Sequence, residues 1–290
     1  MTNIAPFLVL GVALGGVFAL NSVGIVLLHR ATGVLNFAGG ATGAFGALVA
    51  WSLVNELNVN EWVAFGAGIL AATLVTFLFG VMIARRLSQR EPIVKAISTL
   101  GLLLVLLGLM SWFWPASLTR SLPLPTSGWR ISLGDAFVSG TQLLCVALAI
   151  VVTLGTSLFL SHTRMGTAMR ALADDREIAS MLGVPVRRVE AVAWLVSGAL
   201  AGVTGILLSN LVNLAASELT FLIVPALAVA LAARLESVNV SLLMGLVIGV
   251  VQALLTPFPG ISEYRTMTPF IVATLAVLWL SWRRPELGRV

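Results

Sequence analysis

Nine of the 29 charged residues of this chain lie in one short stretch. Residues 161–190 hold Arg164, Arg170, Asp174, Asp175, Arg176, Glu177, Arg187, Arg188 and Glu190. Adjacent acids such as Asp174 and Asp175 invite an acid–base reading, but two acids at a helix start are better explained by the positive end of the helix dipole. The chemistry that this spacing suits is docking. Asp174 can cap a helix, and Glu177 three residues on completes a capping box. Gly183 suits the left-handed residue just past a helix end, and Pro185 blocks continuation. The pattern therefore predicts a short helix over about 175–182. On it Ile178, Met181 and Leu182 lie along one side with Ala179 alongside, while Arg176 and Ser180 face water or a partner. Such a helix is a handle for another protein. Periodicity alone fits equally well a helical loop that packs on its own bundle.

Other chemistries are excluded by residue type. The single lysine, Lys95, sits between Val94 and Ala96, so there is no Gly-x-x-x-x-Gly-Lys-Ser/Thr loop to cradle a nucleotide phosphate. His29 and His162 lie at predicted span ends, away from clustered carboxylates, and Cys145 is the only cysteine. No metal site, cofactor or disulfide framework is expected, and the chain is not read as an enzyme.

The elements that must position the 161–190 loop follow from composition. The chain has 290 residues, of which 59% are hydrophobic and 10% charged, with a mean hydropathy of +1.03. A water-exposed domain carries about 25% charged residues, so lipid is the expected solvent for most of the outside. The expected fold is an all-α polytopic transmembrane bundle of eight to ten spans, in a single domain over 1–290. Nine spans are favoured: 5–28, 36–54, 62–83, 96–114, 136–160, 191–213, 219–233, 240–255 and 267–282. The Gly- and Ala-rich segment 36–54 is a candidate for a broken or re-entrant helix. The first segment lacks a basic leader and reads as a retained span. The stretch 115–135, with Pro115, Pro123, Pro125 and Gly128, reads as an ordered external cap or loop.

Nine alternating spans with the N-terminus outside place Arg120, Arg130 and Arg265 externally. They put the rest of the 17 Lys and Arg residues inside, Arg85, Arg284 and Arg289 among them, as the positive-inside rule requires. This orientation makes the C-terminus cytoplasmic. The net charge of +5 is then an orientation signal, with no nucleic-acid partner implied. No Asp, Glu, Lys or Arg falls near a predicted midplane, which argues against the rival reading of a stand-alone ion-coupled carrier or channel. The spans do carry uncharged polar residues: Asn21, Ser22, Asn36, Thr42, Ser98, Thr99, Ser197, Asn210, Asn213 and Gln252. Each must find a partner helix or a cavity. Gly39 and Gly40 could break a helix and offer backbone groups to a solute, whereas Gly43, Gly46, Gly198, Gly202 and Gly205 allow close helix approach.

Glu177-Ile178-Ala179-Ser180-Met181-Leu182-Gly183 resembles the EAA-type loop of ABC importer permeases, with Ile178 in place of the usual alanine. The wider run from Arg164-Met165-Gly166 to Arg188-Val189 resembles the branched-chain amino-acid permease family in its LivH-like branch. So do Val196-Ser197-Gly198 to Gly205, Thr32-Gly33-Val34-Leu35-Asn36-Phe37-Ala38-Gly39-Gly40, and Ile97-Ser98-Thr99-Leu100-Gly101. Gly39 stands where the family usually has His, and residues 232–239 replace a glycine-rich run. The resemblance implies an importer subunit that moves a branched-chain or related amino acid across the inner membrane. It implies two cytoplasmic ATPases that bind ATP, a second permease subunit (a paralogue favoured), and an extracytoplasmic binding protein. It assigns Asp174, Glu177, Ala179 and Gly183 to ATPase coupling. Asn21, Asn36, Gly39, Gly40 and Ser98 fall in the family-like blocks and are the candidate substrate pathway.

Overall fold

The computed structural model describes residues 4–283 except Arg85, Ser88, Gln89, 116–119, Pro123, Gly134, Asp135, Asn213, Leu222, Pro259 and Ile261. Of the residues singled out above, Arg85, Pro123, Asn213, Arg284 and Arg289 lie outside this set. The chain is a helical bundle. Its elements are α1 (Ala5–Thr32), α2 (Gly39–Asn55), α3 (Glu61–Phe79) running into a π-helical turn (Gly80–Ala84), and α4 (Pro92–Phe113). A hairpin of β1 (Arg130–Leu133) and β2 (Ala136–Ser139) precedes α5 (Gly140–His162), α6 (Arg164–Asp174), α7 (Arg176–Met181) and α8 (Val186–Leu211). The chain continues through α9 (Ala216–Phe221), α10 (Ile223–Ala232), α11 (Val238–Leu254), a 3-10 turn (Ser262–Met267) and α12 (Thr268–Arg283).

Five of these helices are long and apolar enough to cross a membrane: α1, α3 with its π-turn, α4, α5 and α8. The apolar stretches 216–232, 238–254 and 268–279 are shorter. A 17-residue helix spans about 25 Å, less than the ~30 Å hydrocarbon core, so nine crossings do not follow from helix length alone. The chain is a multi-pass membrane protein.

The bundle is sorted by exposure. α1 and α8 are mostly buried, whereas α3, α4 and α5 turn large apolar side chains outward, Leu74, Leu104 and Leu154 among them. Lipid is as apolar as leucine, so such helices associate by close packing of small residues rather than by hydrophobic burial. The α2–α8 crossing follows this rule: a Cβ on Gly205 would overlap the Gly43 carbonyl oxygen, and one on Gly43 would lie 2.5 Å from the Ala201 carbonyl oxygen. Gly11, Gly15, Gly245 and Gly249 bring α1 against α11 in the same way.

Three features refine or correct the sequence expectation. Residues 130–139, at the end of the stretch read as a cap or loop, hold a hairpin: β1 and β2 pair antiparallel, with Arg130 opposite Ser139. This hairpin takes the first residues of the span expected over 136–160. The helix starts instead at Gly140, where Ser139 and Gln142 form a capping box that satisfies two free N–H groups. Secondly, the Gly-rich segment is one continuous helix from Gly39. The irregular backbone lies before it, over 33–38, where Gly33 ends α1 in a left-handed conformation (φ 67°). Thirdly, the α10–α11 connection turns without glycine: Arg234 and Leu235 both take positive φ, 57° and 56°. Such backbone disfavours side chains, and the Arg30 guanidinium braces the turn by donating to the Glu236 carbonyl oxygen at 2.9 Å.

Candidate coupling surface and polar pathway

The 161–190 stretch folds as two helices. Thr163 caps α6 by accepting from the Gly166 N–H at 2.9 Å. Gly166 then lets α6 lie on the end of α5, because a Cβ there would overlap the Phe159 carbonyl oxygen. The sequence reading did not separate this helix from the next. Asp174 is its last residue, so the cap of α7 is its neighbour: Asp175 Oδ1 accepts from the N–H groups of Glu177 and Ile178, each at 2.9 Å. Both acids suit a cap chemically, and only the chain direction decides between them. The C-terminal reading holds: Gly183 takes φ 84°, its N–H reaches the Ser180 carbonyl, and the Val184 N–H reaches that of Ala179 at 3.1 Å.

The faces of α7 are unequal. Ala179 is buried in the same apolar cluster as Met169, Leu172, Val189 and Trp194. Ile178, Met181 and Leu182 point away from the bundle, with Met181 83% and Leu182 80% exposed. Packing on the bundle thus uses the alanine and leaves the bulky apolar residues uncovered. Arg176, read as facing water or a partner, is part-exposed and forms an ion pair with Glu190 at the start of α8. Glu190 in turn lines a small hollow with Lys95 of α4, Gly80 and Ala84 of the π-turn, Trp194 and Thr32. A Cβ on Gly80 would overlap the Trp194 ring, and Phe79 meets that ring edge-on at 5.6 Å. The Arg176–Glu190 pair thus ties α7 to the start of α8, beside the ends of α1, α3 and α4 that line the same hollow.

Three of the candidate pathway residues converge deeper in the bundle. The Cβ position of Gly39 is 3.5 Å from Asn21 Oδ1 and 4.0 Å from Asn36 Nδ2. Asn36 Oδ1 accepts from the Ala38 N–H at 3.0 Å and so shapes the entry to α2. Asn21 Nδ2 donates to Thr204 Oγ1 at 3.4 Å. Gly40 packs against the Thr220 carbonyl in α9 and against Ile223. All are buried in this single chain. Ser98 stands apart, donating to the Lys95 carbonyl of its own helix at 2.6 Å. Its neighbour Thr99 makes the long-range bonds: its hydroxyl lies 3.0 Å from the Leu35 carbonyl, and it accepts from the Phe37 N–H at 3.2 Å.

Comparison with known proteins gives this arrangement its family. The family described as branched-chain amino acid transport system / permease component matches residues 7–289. The chain belongs to that family. The high-affinity branched-chain amino acid transport system permease protein LivH of Salmonella typhimurium is 26% identical, over 97% of this chain and 96% of that protein. BraD of Pseudomonas aeruginosa, of the same description, is 26% identical over 98% and 97%. Among solved structures, PsaBC from Streptococcus pneumoniae in complex with Fab has a TM-score of 0.48 at 15% identity, covering 97% of this chain and 91% of that one.

Sequence reasoning about the permease did not single out Thr204, Glu190 or Arg120 as site residues, and it named Thr99 among the polar residues of the spans while choosing Ser98 for the pathway. Thr99 and Ser98 are adjacent, so helix direction alone decided which hydroxyl faced residues 33–38. Glu190 had a signal, an acid among bases three residues after Arg187, but its partner is 14 residues away. Arg120, counted above only for orientation, is 6% exposed.

Proposed function

We propose that this permease is the membrane-spanning subunit of an ATP-driven importer that carries a branched-chain or related amino acid into the cytoplasm. The observation that carries the reading is the uncovered apolar face of α7, a capped helix held outside the bundle by a buried alanine and an ion pair. A bare apolar trio on an anchored helix is a surface for a partner. A cytoplasmic ATPase with a groove for one helical turn fits it. The coupling segment is then 161–190, with Ile178, Met181 and Leu182 entering the groove, Glu177 at its edge, and Ala179 and Gly183 fixing the helix. Asp175 replaces Asp174 as the cap. ATP is bound and hydrolysed on two such partners. A second permease subunit, a paralogue by preference, completes the path, and an extracytoplasmic binding protein delivers the solute. Nine spans place the N-terminus outside and the C-terminus inside, which sets α7 on the cytoplasmic face with most of the basic residues.

The mechanism is a lever. Movement of α7 with the ATPase pulls Glu190 through Arg176 and so moves α8. Where α8 crosses α2, at Gly43 and Gly205, the backbones touch without side chains to absorb a shift. The motion reaches the start of α2, where Asn36, Gly39 and Gly40 lie beside Asn21. Rearrangement there opens amide and backbone groups toward the solute.

The test is a pull-down of the purified permease, with and without the double change Glu177→Ala/Gly183→Pro, against the ATPases encoded by the same cell. Capture that the double change abolishes supports the importer. If the unaltered chain captures none and still transports in vesicles without ATP, the carrier or channel reading replaces it.

A further inference from the structure

A cavity of about 1220 Å³ opens where α1 begins, where α8 and α11 end, and where the 3-10 turn leads into α12. This is the end of the bundle away from α7. Leu10, Leu14 and Phe18 form an apolar wall, and Arg120 and Gln252 are among its polar groups. The Arg120 guanidinium lies over the Trp51 ring at 5.1 Å and donates one bond, from Nη1 to the Pro115 carbonyl oxygen at 2.9 Å. Its Nε has no hydrogen-bond partner, and neither does Gln252 Oε1.

An arginine stays charged at any accessible pH, and a buried charge is costly without a partner. Among the described residues the only ion pair is Arg176–Glu190; Glu218 lines the same cavity but lies beyond ion-pair reach of Arg120. A ring face and one carbonyl offset only part of the cost. The cavity thus presents a fixed, desolvated cation with donors to spare beside an apolar wall.

We propose that Arg120 receives the carboxylate of the transported solute in this cavity, with the apolar body of the solute against Leu10, Leu14 and Phe18. A planar guanidinium binds a carboxylate through paired N–H groups, and the apolar wall suits a short aliphatic chain. That the solute is an amino acid rests on the importer reading; the preference for a carboxylate does not.

The experiment is equilibrium binding to the purified permease in nanodiscs, with no ATPase present. The probes are radiolabelled L-leucine, isocaproate (the same chain with a carboxylate and no amine) and L-leucinamide (with no carboxylate). The proposal expects both carboxylates to bind at least about tenfold more tightly than the amide. Arg120→Gln should bring leucine down to the level of the amide, and Arg120→Lys should restore part of the difference. Equal binding of leucine and leucinamide, or binding of neither, overturns it. So does a folded Arg120→Gln chain that still prefers the carboxylates. Where Arg120→Gln fails to fold, competition decides: isocaproate displacing leucine from the unaltered chain supports the site, and no displacement overturns it. ATPase capture by α7 is read separately, so the failure of one proposal is distinguishable from the failure of the other.

Discussion

Two arginines mark the two ends of this bundle and are treated in opposite ways. Arg176 is part-exposed and has its acid, Glu190, across a helix junction. Arg120 is almost wholly buried and has an aromatic face and a carbonyl but, among the described residues, no acid. In the first place the charge is used up inside the chain, and what remains open is apolar: Ile178, Met181 and Leu182. In the second the apolar residues form a wall and the charge remains open. A surface for a permanent protein partner and a pocket for a passing solute need opposite arrangements. A partner helix groove covers apolar area, whereas a small carboxylate is recognised by a cation that nothing else has satisfied.

That contrast predicts that the two ends fail separately. The largest effect is expected from Met181→Asp with Leu182→Asp. Both side chains are exposed, so thermal unfolding should hardly move, while ATPase capture should fall by about a hundredfold or more, as for removal of interface anchors. Leucine binding in the cavity should be unchanged; a parallel loss there would break the comparison. Next is Gly166→Leu. It drives a side chain into the Phe159 carbonyl, and overpacking of this kind costs about 1–3 kcal/mol. Unfolding measured in detergent should register that cost, and capture should weaken because α6 carries α7.

A smaller effect on stability is expected from Glu190→Gln. The pair is partly solvated, with side chains 36% and 14% exposed, so its loss should cost less than about 1 kcal/mol. Transport should fall far more than stability if the pair transmits motion; proportional losses would reduce it to a fastening. A double-mutant cycle with Arg176→Ala isolates the pairwise part. The smallest effect separates adjacent acids. Asp175→Ala should cost about 1 kcal/mol of helix stability, the usual value of a cap, read as faster hydrogen exchange of the Glu177 and Ile178 amides. Asp174→Ala should leave both rates alone.

The α7 helix was legible because its punctuation is local. A capping acid, a glycine past the end and a proline after it act within a few residues and need no knowledge of the rest of the chain. The same locality explains the one-residue slip between Asp174 and Asp175: either acid can accept from the amides two and three residues on, and the choice depends on where α6 stops. α6 itself depends on Gly166 meeting the end of α5, a contact visible only once the two helices are packed. The β1–β2 hairpin was hidden for a similar reason, since four residues of apolar sequence at the start of a span suit a strand or a helix equally.

By itself the sequence determined the solvent, the helical class and the family. Apolar content, the absence of charge from predicted midplanes and the order of the family-like blocks are properties of the chain as written, and lipid leaves a backbone few other choices. It determined too that Gly183 would end a helix, because a left-handed residue is cheapest as glycine. The tertiary structure alone decided which face of α7 stayed open, that Thr99 and not Ser98 would hold residues 33–38, and that Asn21, Asn36 and Gly39 would meet. It also decided that Arg120 would be enclosed with no acid among the described residues in ion-pair reach. Each of these depends on the distance between segments far apart in sequence, and on what is missing from a neighbourhood as much as on what is present. A chain read in order carries no record of an absent neighbour.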